Sequence, residues 1–93
     1  MAQERDIEKH FIQKIESLGG VALKFTVPGQ RGWPDRLAIL PGGRIIFVEL
    51  KRPKGGRLSA LQIERLRTLT DLGAESYVMN SLFLIDAHFG DDT

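Results

Sequence analysis

Apolar residues recur along this chain with two different periods, and the changes of period mark the expected elements. Ile7, Phe11, Ile12, Ile15 and Leu18 follow three- and four-residue spacing. That pattern predicts an amphipathic helix over about residues 2–18, stopped by Gly19-Gly20. "VALKFTV" is rich in β-formers and is ended by Pro28-Gly29, so it predicts a strand. "PDRLAIL" and "RIIFVELK" predict two more strands, joined by "PGG", a strong hairpin signal. A second helix is expected over about residues 59–72, with Leu61, Leu66, Leu69 and Leu72 inward and Gly73 as stop. "ESYVM" predicts a last strand, and the tail from Asn80 fits either a short helix or an irregular docking segment. The order is α-β-β-β-α-β, an α/β fold with a single small mixed β-sheet flanked by helices. The helix between the third and fourth strands allows them to run parallel. With 93 residues the chain suits one domain, 1–93, its core over about 5–80 and a tail at 81–93.

The third strand breaks its own pattern. Ile45, Ile46, Phe47, Val48 and Leu50 suit burial, yet Glu49 and Lys51 interrupt the run near its end. Alternate residues of a strand share a face, so Glu49 and Lys51 project together. Whether Asp35 joins them depends on the hairpin. A two-residue Gly42-Gly43 turn pairs Asp35 with Leu50 and sends it to the wrong face. A three-residue loop, Pro41-Gly42-Gly43, pairs Leu40 with Arg44 and therefore Asp35 with Glu49. Directly opposed Cβ atoms lie about 5 Å apart, and two carboxylates that close repel unless a cation joins them. A divalent metal is the expected partner. Hard oxygen donors without thiolate or nearby imidazole favour Mg²⁺ or Mn²⁺ over zinc. A lysine beside such a site can steer a water or offset developing negative charge, which suits phosphodiester hydrolysis.

Charge adds to this picture by its placement. The formal net charge is only +1. From Lys24 to Arg57, however, eight bases stand against only Asp35 and Glu49, while Asp86, Asp91 and Asp92 lie near the C-terminus. A basic middle holding two isolated acids fits a polyanion site with an embedded metal site, although a basic cluster can also be a solvated loop surface. The absence of cysteine excludes disulfides and thiolate metal sites, leaving His10 and His88 as the soft ligands. No apolar run approaches the roughly 20 residues of a membrane span, and "MAQERDIEKH" lacks the apolar region of a signal peptide. The expectation is an intracellular protein with no membrane partner and no small-molecule cofactor.

These motifs carry a resemblance. "GWPDR" followed by "VELKRP" resembles the PD-(D/E)xK nuclease superfamily, with Pro34-Asp35 and Glu49-Leu50-Lys51 as the signature residues. "IEKHFIQKIESLGGVALKF", "GWPDRLAILPGGRIIFVELKRP" and "LSALQIERLRTLTDLGAESYVM" resemble the VRR-NUC family over about residues 5–80. The resemblance implies a restriction-endonuclease-like core and a metal site formed by Asp35, Glu49, the backbone carbonyl of Leu50 and a carboxylate of the first helix, here Glu8. It implies Lys51 as the catalytic lysine and Gln62 as a glutamine near the active site. It also implies a metal-dependent, structure-specific endonuclease, because stand-alone members of this size resemble bacteriophage proteins that act as homodimers on four-way DNA junctions. A phage origin would place the chain in the cytoplasm of a bacterial host. Trp33 stands where the family commonly has a small residue.

Plainer explanations exist for each residue. Glu49 and Lys51 could be a surface ion pair at a strand end, and Asp35 a Pro-Asp turn former. Glu8 could be a solvated helix residue, and Glu4 or Glu16 could be mistaken for it. Gln62 closes a capping box with Ser59. Arg31, Arg36, Arg52, Lys54 and Arg57 are candidate phosphate contacts around the site, and Lys24 faces either the site or solvent. Trp33 could stack on a base or pack beneath its loop. His10 and His88 read most simply as structural or solvated. A flap or single-strand-end nuclease, and a non-catalytic DNA-binding module, remain alternatives to the junction reading.

Overall fold

The structure, a computed structural model, describes residues 3–90. Helix α1 (Glu4–Ser17) opens the fold and is followed by β1 (Val21–Lys24), β2 (Arg36–Leu40) and β3 (Arg44–Leu50). Helix α2 (Ala60–Asp71), strand β4 (Glu75–Met79) and helix α3 (Leu82–Phe89) complete it. The sheet order is β1-β2-β3-β4; the first two pairings are antiparallel and β3–β4 is parallel. This is the expected α/β arrangement with one additional element, because the tail forms α3. Ser81 caps that helix by accepting a hydrogen bond from the Leu84 amide at 3.0 Å. Strand β1 is shorter than its apolar run, ending at Lys24. Asp91 and Asp92, expected to form part of an acidic end, lie outside the described residues.

Alternation along the strands decides what is buried. Ile46, Val48 and Leu50 of β3 turn to one face with Ala38 and Met79, where they meet Ile7, Phe11 and Ile15 of α1 and Ile85 of α3. Each of these side chains except the small Ala38 contributes roughly 1.5–3 kcal/mol by leaving water. His10 Nε2 lies 2.8 Å from Asp86 Oδ1 and ties α1 to α3, while the His88 ring sits 4.1 Å from that of Tyr77. Both histidines therefore occupy structural contacts. Along the far edge, Arg44 forms a two-pronged pair with Glu75 at 2.6 and 2.8 Å, joining β3 to β4.

Helix α2 lies on the opposite side of the sheet and covers it incompletely, leaving Val21, Leu23 and Ile45 between 42% and 48% exposed. Leu72, expected to face inward, is 80% exposed. It stands at the helix C-cap, one position past the last helical residue, where periodicity no longer fixes its direction. Among the described residues no helix is long and apolar enough to cross a membrane.

Candidate active site

The hairpin between β2 and β3 fixes the site. Leu40 pairs with Arg44 and Arg36 with Val48, so the loop is the three-residue Pro41-Gly42-Gly43 turn. Gly42 and Gly43 both hold positive φ, and the Gly43 amide donates to the Leu40 carbonyl at 3.0 Å. Continued by one residue, this register sets Asp35 against Glu49. The Asp35 carboxylate reaches the Leu50 amide, accepting its N–H at 3.4 Å. In an extended strand a residue's N–H and C=O point to the same edge. The Leu50 carbonyl therefore faces the Asp35 side, while the next amide, Lys51 N–H, turns away to the Met79 carbonyl at 3.1 Å.

Glu49 is 5% exposed, an unusual depth for a carboxylate. Burial, with Asp35 as the next cause, pushes its pKa from 4.5 up to about 7. Asp35 is also raised, mainly by burial and in part by Glu8, against the lowering effect of the Leu50 amide bond. Lys51 places its ammonium 3.5 Å from Glu49 Oε2 and works against that rise by favouring the charged carboxylate. Gln62 approaches from α2, donating from Nε2 to the same Glu49 oxygen at 3.2 Å. Its other end stays in the capping box: Gln62 Oε1 accepts from the Ser59 amide, and Ser59 Oγ accepts from the Gln62 amide.

Glu8 of α1 lies near enough for its charge to reach Asp35, but among the described residues it does not join Asp35 and Glu49 in a group of three that could hold a metal. Its Oε2 is bridged by Arg36 at 2.9 and 3.2 Å, which leaves Oε1 outside the bridge, and its charge is felt at Asp35. This corrects the expectation for Arg36. It shares the core face with Val48, is 7% exposed, and spends its guanidinium on Glu8 rather than on an external phosphate. Lys24 pairs with Arg36 and so projects on that same face, opposite to Asp35 and Glu49. Arg31, Arg52, Lys54 and Arg57 remain on exposed loops.

Two residues that the sequence reading passed over also take part. Arg65, one helical turn after Gln62, donates to the Arg31 carbonyl at 3.1 Å and lies 4.7 Å over the Trp33 ring. Trp33 in turn donates to Gln30 Oε1 at 2.9 Å. Beneath them Gly32 has φ +88, and a Cβ there would stand 2.8 Å from Leu61 Cγ. Only glycine fits a positive φ pressed that closely against a helix. Helix α2 thus grips the loop that leads into Pro34-Asp35, and the lone tryptophan packs rather than projects. The second residue is Arg5, which borders a cleft beside Lys51. Helical spacing was the available signal for both: Arg65 is three residues from Gln62, and Arg5 three from Glu8.

A small mixed sheet that delivers an aspartate, a glutamate and a lysine to one strand end defines the class, a restriction-endonuclease-like fold. Compared with solved structures, the chain matches a VRR_NUC domain with a TM-score of 0.86 and 31% identity, over 92% of this chain and 94% of that one. Over 81 residues it is 43% identical to "Putative nuclease p44" of Acyrthosiphon pisum secondary endosymbiont phage 1, covering 87% of this chain and 86% of that protein. No family model matches the sequence. The chain belongs to the VRR-NUC family.

Proposed function

We propose that this protein is a Mg²⁺- or Mn²⁺-dependent DNA endonuclease that hydrolyses phosphodiester bonds in branched DNA, four-way junctions foremost, as a homodimer. The observation that carries the reading is the convergence of Asp35, Glu49 and Lys51 at the end of β3, with Glu49 buried beside a second carboxylate. The donor set fits a hard divalent cation: Asp35, Glu49 and the Leu50 carbonyl offer only oxygen, and Glu8 would have to move towards them to become a further donor. A cation bound there supplies Lewis acidity at the phosphate and neutralises the two carboxylates.

The remaining work belongs to the chain. Lys51 is a mobile point charge that offsets negative charge developing on the phosphate or orients the attacking water. Gln62 holds one Glu49 oxygen, and the Leu50 amide holds Asp35, so both carboxylates are oriented before a substrate arrives. Each chain carries one such site, and paired cuts on two strands of a junction need two. The likeness to a phage protein named as a nuclease supports the activity and a bacterial host as its setting. Cleavage of four-way junctions, compared with flaps and single-stranded ends in Mg²⁺ and Mn²⁺, tests the substrate. Junction cleavage at paired positions, with twice the monomer mass in light scattering, is the expected result. Preferential flap trimming by a monomer would contradict it.

A further inference from the structure

Between the first turn of α1 and the loop after β3 runs a cleft of about 850 Å³. Lys51 stands in its wall with Arg5, Arg52, Lys54 and Arg57, against the single acid Glu4. Arg52 is partly engaged with its own loop, its guanidinium 3.5 Å from the Gly55 carbonyl. Arg5, Lys54 and Arg57 have no ion-pair partner among the described residues. Nearer the core face Arg36 is spent on Glu8, and Arg65 on Trp33 and the Arg31 carbonyl, while the Arg31 side chain stays exposed on the loop before Asp35. Apart from Arg31, the uncompensated charge near Glu49 is concentrated in this cleft, onto which Lys51 opens.

Like charges gathered around one concave surface repel, and the arrangement suits a polyanion that threads between them. A solvent-open cleft of this volume, lined by five cations, favours several linked phosphates over a single small anion. We propose that this cleft holds the sugar–phosphate backbone of the DNA strand next to the cleavage site, with Arg5, Lys54 and Arg57 as its phosphate contacts. The assignment rests on the nuclease reading and adds a direction to it: the strand leaves the site past Lys51 and α1. Arg5 brings the first helix into substrate binding, independently of Glu8. Contacts of this kind position the strand without reading its sequence.

The test is binding of a fluorescent four-way junction to the full chain in EDTA, so that no cleavage intervenes, across a series of salt concentrations. Arg5→Ala, Lys54→Ala and Arg57→Ala should each weaken binding and reduce the slope of log K against log salt by about 1. The triple variant should lose about 3 from that slope while melting at the wild-type temperature. Arg67→Ala, an exposed charge on α2, should leave the slope unchanged. A triple variant that keeps wild-type affinity and slope overturns the cleft assignment, and so does a wild type that binds no DNA. If the triple variant binds normally while the wild type cleaves, the nuclease reading stands and the cleft alone is wrong. If the triple variant loses binding but the wild type never cleaves with Mg²⁺ or Mn²⁺, the cleft stands and the nuclease reading is wrong.

Discussion

Gln62 holds Glu49 and caps its own helix with the same side chain: Nε2 donates to Glu49 Oε2 at 3.2 Å while Oε1 accepts the Ser59 amide at 2.9 Å. The start of α2 and the orientation of the buried glutamate are thus one structural event. Replacing Gln62 by Ala should remove both roles, lowering stability by about 1 kcal/mol and cleavage by tenfold or more. Ser59→Ala should cost similar stability but leave cleavage within a few-fold of wild type. Melting curves and cleavage rates on the two variants check this; equal losses of activity would show that the cap alone matters.

How much of this was legible in the sequence depends on distance along the chain. The Leu40–Arg44 register followed from "PGG", because loop length sets which face each β2 side chain takes. Arg36 is placed otherwise than expected, although Asp35 beside it takes the expected face. The alternation that sends Asp35 to the site sends Arg36 into the core, and its partner Glu8 lies 28 positions away, where local pattern has no reach. The grip of Arg65 on Trp33 was hidden for the same reason, since it joins α2 to a loop more than thirty residues earlier. Leu72 misled because its helix ends before it.

Arg65→Ala should loosen the loop that delivers Asp35. The expected outcome is a several-fold higher Mn²⁺ requirement for cleavage and a lower maximal rate, with the melting temperature within a few degrees of wild type. Mn²⁺ titration of cleavage measures it. An unchanged requirement would mean that Asp35 is held without α2.

Stability without metal should fall as pH rises. Glu49 keeps its proton up to about pH 7 when folded, against an ordinary value of 4.5, so the folded state binds more protons between those limits. Its contribution is complete below pH 4.5 and is lost as pH climbs through 7. In EDTA the wild type should lose on the order of 10 °C more than Glu49→Gln does between pH 5 and 8. Parallel pH profiles for the two proteins would contradict the burial of that carboxylate.

Leu69 and Leu72 should separate sharply although both are leucines of one helical pattern. Leu69→Ala should cost about 2–5 kcal/mol, and Leu72→Ala less than about 0.5. Denaturant melts of both variants read the difference directly.

We propose that Asp35, Glu49 and Lys51 form one metal-dependent cleavage site. The most direct measurement is cleavage of a four-way junction by the wild type, Asp35→Asn and Lys51→Ala, each with Mn²⁺ and with EDTA. Cleavage by the wild type with Mn²⁺ only, and a loss of at least a hundredfold in both variants while junction binding persists, is the predicted result. Cleavage that survives EDTA, or that Asp35→Asn or Lys51→Ala leaves at the wild-type rate, would contradict it.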